Sequence, residues 1–168
     1  MQALLVGVEA LYFHQGTIGN CEYCWWGHYD IGAPYYGAYF ATLALAGATQ
    51  IAPLDTGTNN FAGYVVYTGQ VAKRVLLINS NYYSGSGART AQSFTLTGLN
   101  CTGVTAKRLT APASTSRQDQ GQNPTLAGQT FENGTCTIQG EAMVETTSVE
   151  DGRAVFKLKA SEALLVYL

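Results

Sequence analysis

The densest chemistry in the sequence lies between residues 14 and 36. His14, Gln15, Gly19, Asn20, Cys21, Tyr23, Cys24, Trp25, Trp26 and His28 crowd into one stretch, and Tyr29, Tyr35 and Tyr36 follow. Aromatic rings beside amides and hydroxyls are the composition of a saccharide pocket. The rings cover the C–H faces of a sugar while polar groups bond its rim. His14, Gln15, Gly19, Asn20, Tyr23, Trp25 and Trp26 are therefore the candidate sugar-binding residues; packing at a domain junction is the competing reading for the two tryptophans. Cys21-x2-Cys24-x3-His28 has a spacing that a metal could use, but a closed zinc site needs four ligands and no second Cys/His pair follows. No metal and no cofactor is expected. The spacing fits a short Cys21–Cys24 disulfide, with free thiols as the other reading.

Acid–base chemistry is harder to find. Glu9, Glu22, Asp30, Glu141, Glu145, Glu150, Asp151 and Glu162 are scattered over a helix, a loop, strands and turns. No scaffold sets two of them as an acid and a base, so no catalytic residue is assigned. The glycines of Asn81–Arg89 do not make a phosphate loop, because no Lys-Ser/Thr follows and no helix begins. That loop reads as an exposed turn or a lectin-like surface.

The elements that must position these residues follow from periodicity. Residues 2–13 read as a helix (Gln2–Ala10) running into a strand (Ala10–Phe13). Residues 14–34 are loop, and residues 35–47 are a helix whose buried face is Tyr36, Tyr39, Phe40, Leu43 and Ala44, stopped at Gly47. From about residue 50 the period becomes two. Strands are expected at 61–67, 71–79, 93–99, 104–109, 126–131, 136–139, 143–149, 153–159 and 163–168, with a hairpin turn at Glu150-Asp151-Gly152. Phe156 and Leu158, and likewise Phe94 and Leu96, should face the core. Residues 111–124 form one long surface loop. The expected fold is mainly β: an antiparallel β-sandwich over residues 51–168, preceded by a helix–strand–helix unit over residues 1–50.

Of the 168 residues, 12% are charged and 46% hydrophobic, with a net charge of −2. That hydrophobicity excludes disorder, the absence of a basic patch argues against nucleic acid, and no apolar run reaches the ~18 residues of a membrane helix. Two glycosylation sequons occur, at Asn100 and Asn133, and each lies beside a lone cysteine. A Cys101–Cys136 disulfide is expected on that ground, and the set favours an extracellular, secreted eukaryotic glycoprotein. The apolar start has no basic n-region and no small-residue cleavage site. A secreted-looking chain with such a start reads as a piece of something longer, or as a processed chain.

Several long segments resemble a known family. Tyr12-Phe13-His14-Gln15-Gly16-Thr17-Ile18-Gly19-Asn20-Cys21, Tyr23-Cys24-Trp25-Trp26-Gly27 and Gly32-Ala33-Pro34-Tyr35-Tyr36-Gly37-Ala38-Tyr39-Phe40 resemble the end of the barrel in fungal family 79 glycoside hydrolases, the β-glucuronidases related to heparanase. Leu77-Ile78-Asn79-Ser80-Asn81-Tyr82-Tyr83-Ser84-Gly85, Lys107-Arg108-Leu109-Thr110-Ala111-Pro112, Ala127-Gly128-Gln129-Thr130-Phe131 and Ser161-Glu162-Ala163-Leu164-Leu165-Val166-Tyr167 resemble that family's C-terminal β-domain. The resemblance covers essentially the whole chain. It implies that residues 1–50 are the last steps of a (β/α)8 barrel and that the rest is the appended sandwich. It also implies that the loop after the last barrel strand helps to hold a uronic acid's carboxylate, with Gly19, Asn20 and Tyr23 as the matching residues. Retaining glycosidases use two carboxylates ~5 Å apart. In the family these are glutamates on earlier barrel strands, and nothing in this sequence matches them. The expected function is thus a non-catalytic, accessory C-terminal portion of a β-glucuronidase, not an enzyme on its own. The alternative is a stand-alone secreted carbohydrate-binding, lectin-like protein. The expected partners are a saccharide (a uronic acid or other glycan) and either a second copy of the chain or a complementary barrel chain.

Overall fold

The structure, a computed structural model, describes residues 1–13, 25 and 31–168. Two helices, α1 (Gln2–Leu5) and α2 (Ala33–Leu45), precede the strands β1 (Gln50–Pro53), β2 (Phe61–Thr68), β3 (Val71–Asn79), β4 (Ala91–Thr97), β5 (Gly103–Thr110), β6 (Thr125–Leu126), β7 (Thr130–Phe131), β8 (Ile138–Gln139), β9 (Glu145–Ser148), β10 (Arg153–Lys159) and β11 (Glu162–Tyr167). Seven strands make one sheet in the order β1-β2-β3-β11-β5-β6, with β9 also paired to β5; β10–β4 and β7–β8 are separate two-stranded ladders. Every ladder between the described strands is antiparallel.

The large sheet is covered on both faces, which explains why its central strands read as continuous apolar runs. On β3 and β11, Val75, Leu77, Leu164 and Val166 point to one side and join Ala154, Phe156 and Leu158 of β10. Leu76 and Leu165 point to the other, where Phe40 and Ala44 of α2 meet them together with Tyr64 of β2. The result is a sandwich with a helix laid on its outer face. α2 starts with Pro34 in its first turn, where a missing N–H costs nothing. Its free C-terminal carbonyls are taken by a sheet residue: Arg74 Nη1 donates to Leu43 O at 2.6 Å and Nη2 donates to Ala46 O. The chain then turns through Gly47, whose φ of 66° favours glycine.

The small sheet covers the large one unevenly. β10 lies over β3, β11 and β9. Outside it runs β4, and beyond β4 the inner face of β2 and β3 is left as a cleft of about 450 Å3, lined by Phe61, Tyr67, Ala72, Val75, Phe94 and Leu96 among others. Phe61 and Phe94 meet edge to face across it, 6.1 Å between centroids.

Most of the expected strands are present within two residues of their predicted ends. The Glu150–Gly152 turn has φ of 49° at Asp151 and 69° at Gly152, the positive pair that a type I′ hairpin requires. Four expectations need correction. The helix expected over Gln2–Ala10 stops at Leu5, because Gly7 adopts φ 80° and the chain leaves the helix there. Ala10–Phe13 is not a strand: no described strand pairs with it, and Leu11, Tyr12 and Phe13 are exposed. The strand expected at 126–131 is folded back on itself. Ala127 and Gly128 both have positive φ, and Leu126 N–H bonds Gln129 O at 2.9 Å, which separates β6 from β7. The 111–124 loop is not wholly superficial, since Ala113 and Ser116 are buried and the Ser116 hydroxyl accepts the Ala113 N–H at 2.7 Å.

Candidate functional site

Of the seven sugar-binding candidates, Trp25 is described. His14, Gln15, Gly19, Asn20, Tyr23 and Trp26, and both members of the expected Cys21–Cys24 disulfide, lie outside the described residues. Trp25 is half-buried. Its ring tilts against Phe13 with centroids 5.0 Å apart, and its carbonyl accepts the Gly32 N–H at 2.7 Å. Together the two rings border an apolar groove of about 740 Å3, whose other walls include Leu4 and Leu11 on one side and Pro34 and Ala41 of α2 on the other.

The segment returns from Trp25 to α2 through Ile31, and here the sandwich takes hold of it. Ile31 is buried with Tyr36 and Phe131. Its backbone N–H donates to Asn133 Oδ1 at 3.1 Å, and Gln118 Nε2 donates to the same oxygen. Phe131, on β7, sits within a ring of tyrosines: Tyr35, Tyr36 and Tyr39 each approach it edge to face at 5.0 Å. The Phe131 N–H donates to Tyr36 Oη at 3.1 Å. Burial pushes the Tyr36 phenol's pKa up, against the opposing pull of that hydrogen bond, so the ring stays neutral through physiological pH. Sequence spacing offered no signal for this assembly. Asn133 registered as a sequon and Gln118 as loop, and nothing in one dimension links residue 31 with residue 133.

A second polar centre is structural. Arg108 on β5 binds Glu145 through Nε at 2.6 Å and Nη2 at 2.8 Å, and binds Glu162 through Nη1 at 2.7 Å. The second oxygen of Glu162 accepts from Thr110 Oγ1 at 3.0 Å. Burial opposes the charge on Arg108, but the two carboxylates outweigh it and raise the guanidinium's pKa. One arginine thus bridges two carboxylates, one from β9 and one from β11, and ties both strands to β5. The nearby hollow of about 370 Å3 between α2 and the sheet edge has its polar groups engaged within the fold: Asn79 Nδ2 donates to Leu158 O, Ser80 Oγ donates to Asn60 O, and Ser114 and Ser161 share a hydrogen bond.

Cys101 and Cys136 are free, exposed thiols, which corrects the expected Cys101–Cys136 disulfide. Cys101 precedes the first residue of β5, at the end that pairs with β9. Cys136 belongs to the β7–β8 hairpin, which follows the pairing of β6 with the far end of β5. At ~3.3 Å per residue, the length of β5 alone separates the two ends by roughly 20 Å. A disulfide tolerates only about 7 Å between Cα atoms. Asn100 and Asn133 both lie in exposed turns. Among the described residues no cluster of three or more His, Cys, Asp or Glu could hold a metal, and no helix is long and apolar enough to cross a membrane.

The described residues form an antiparallel sandwich backed by a helix, the architecture of a compact β-domain. Residues 63–165 match the family model described as the glycosyl hydrolase family 79 C-terminal beta domain, and the chain belongs to that family. It is similar to a solved 4-O-α-L-rhamnosyl-β-D-glucuronidase from Fusarium oxysporum 12S, determined as a Rha-GlcA complex. The identity is 64% and the TM-score 0.97; the match covers 100% of this chain and 36% of that one. A family 44 endoglucanase from Clostridium acetobutylium superposes with a TM-score of 0.37 and 15% identity over 67% of this chain and 17% of that one, too slight a likeness to bear on the fold. No curated protein matches the sequence.

Proposed function

We propose that this chain is the non-catalytic C-terminal portion of a family 79-type glucuronidase, inactive alone, which lends its aromatic segment to a pocket for a uronic acid. The observation that carries the reading is the fit to the rhamnosyl-glucuronidase: the whole chain superposes at 64% identity while spanning 36% of that enzyme's length. The groove beside Trp25 and the stretch Ala10–Phe13, which pairs with no described strand, present apolar surface of the kind that a complementary barrel chain would cover. In this reading His14, Gln15, Gly19, Asn20, Tyr23, Trp25 and Trp26 hold the sugar, the protein is secreted, and Asn100 and Asn133 are available as glycan acceptors.

The test is turnover of an aryl β-glucuronide by the 168-residue chain. The expected result is no rate above the uncatalysed background, because the described carboxylates supply no acid and nucleophile pair, and losing even part of such a unit costs several orders of magnitude in rate. Turnover abolished by changing a single carboxylate, such as Glu162→Gln, would overturn the proposal.

A further inference from the structure

Asn133, in the turn of the β7–β8 hairpin, is the one asparagine of the sequence that a glycine follows. We infer that the Asn133–Gly134 pair is a site of spontaneous covalent modification. The Gly134 nitrogen closes on the carbonyl carbon of the Asn133 side chain, ammonia leaves, and water reopens the ring to aspartate or isoaspartate. The isoaspartate form loosens the hold of the hairpin on Ile31.

A backbone amide is a poor nucleophile, so it attacks only where nothing crowds or occupies it. Both conditions hold at Gly134. Residues 133 and 134 are exposed, and a Cβ built on Gly134 would meet nothing within 4 Å. The neighbouring N–H groups are engaged, Thr135 N–H by Glu132 Oε2 and Cys136 N–H by Glu132 O, whereas Gly134 N–H donates to no described residue. Every other asparagine precedes a residue that carries a side chain, and after Asn123 the next nitrogen is proline's, with no hydrogen to lose. The carbonyl under attack is prepared as well. Its Oδ1 accepts the Ile31 N–H at 3.1 Å and a hydrogen of Gln118 Nε2. Two donors on one carbonyl oxygen draw charge from its carbon and stabilise the oxyanion of a tetrahedral intermediate.

Water is the one co-reactant. The bond from Gly134 N to Asn133 Cγ forms and the Cγ–Nδ2 bond breaks; Nδ2 departs as ammonia with the proton that Gly134 N gives up. Water then opens the five-membered imide. Attack at Cγ restores the ordinary backbone with an aspartate side chain. Attack at the backbone carbonyl carbon of residue 133 leaves the chain running through Cβ and Cγ, one methylene longer. The former Oδ1 is then a main-chain oxygen, so the acceptor for the Ile31 N–H moves with a lengthened turn. That N–H belongs to a residue 2% exposed, where an acceptor is needed. Either product also ends the sequon Asn133-Gly134-Thr135.

The test incubates the unglycosylated 168-residue chain in mildly alkaline buffer and follows each asparagine by peptide mass spectrometry. Asn133 should convert at least about tenfold faster than any other described asparagine, with isoaspartate, the mark of the imide, in the product. Gly134→Ala should slow the conversion about tenfold, and Gln118→Ala, which removes one donor from Oδ1, about threefold or more. Hydrogen exchange at the Ile31 amide should quicken about fivefold in the isolated isoaspartate form. It should stay within about twofold of the parent in Asn133→Asp, which keeps an acceptor on a backbone of ordinary length. Conversion no faster than at the other asparagines, or aspartate without isoaspartate, would overturn the modification. An unchanged or faster rate in Gln118→Ala would overturn the role of the two donors. Unaltered exchange at Ile31 in the isoaspartate form would overturn the loosening. An alanine at 134 must bear the φ of 88° found there, so thermal unfolding checks that this variant folds; if it does not, the isoaspartate content of the parent decides the route.

Discussion

β10 and β4 are the two strands of one ladder, seven residues each, and they turn matching faces toward the same core. Ala154, Phe156 and Leu158 of β10 are at most 3% exposed. Gln92, Phe94 and Leu96 of β4 point the same way, yet Gln92 is exposed, Phe94 half-buried, and Leu96 barely counts as buried. The alternation that directs the side chains inward is equally plain in both. What differs is the flank. β10 is bounded by β4 on one side and by the chain turning in from β9 on the other. The outer edge of β4 has no partner among the described strands and opens on the cleft over β2 and β3. Pattern decides which way a side chain points, and neighbours decide whether it is sealed from water.

The largest test of this contrast is a pair of truncations. Phe156→Ala should cost about 3–5 kcal/mol in urea unfolding, because the cavity it leaves is enclosed. Phe94→Ala should cost about 1–1.5 kcal/mol, since much of that ring is already hydrated. Equal losses would show that β4 is sealed in solution and would break the comparison. The same contrast between sealed and open partners recurs on Arg108, with a smaller expected effect. Glu162, whose side chain is 6% exposed, should cost about 2–3 kcal/mol when changed to Gln, because a half-buried guanidinium loses its best-shielded counter-charge. Glu145, at 39%, is wet enough that Glu145→Gln should cost no more than about 1 kcal/mol. Thermal unfolding of the two variants side by side settles the ranking.

The smallest effect is in alkaline solution. Burial raises the pKa values of Tyr36, Tyr64 and Tyr167 above the ordinary 10.0, on the covered outer face of the sheet. A raised folded value means that the native state holds these protons more tightly than the unfolded chain does. Their stabilisation is therefore complete below pH ~10 and declines as the pH rises through the folded values. Stability should fall above pH 10, and Tyr36→Phe should fall less steeply there, although it starts lower for want of the Phe131 hydrogen bond. Identical slopes would place Tyr36 on the open side of the comparison.

The sandwich was legible in the sequence because its strands are held by period-two patterns and by turn residues, both local properties. The apolar face of α2 and the type I′ turn at 150–152 were read from a few residues each. Two of the failures were cases in which a distant partner decides. Ala10–Phe13 has strand-like residues, but a strand is stabilised only by a ladder. Cys101 and Cys136 have suggestive sequence neighbours, but the length of β5 keeps them apart. The break between Leu126 and Phe131 depends on positive φ at Ala127, which an alanine does not advertise. For the site, aromatic density pointed to residues 14–26. The residues that grip the end of that segment, Asn133 and Phe131, came into view only when the fold brought position 31 against the β7–β8 hairpin.

The sequence divides near residue 50, where helical spacing gives way to alternation, and the division invites a hinge there. Arg74 argues otherwise. Its guanidinium, rooted in β3, reaches the last carbonyls of α2 on the near side of that division. Sliding the helix along its axis, or swinging it off the sheet, would break charge-assisted bonds at its far end while stripping Phe40 and Ala44 from the core. A pull applied to the stretch before Ala33 is accordingly transmitted into the middle of the large sheet. Mechanically, the helix behaves as a spar of the sandwich.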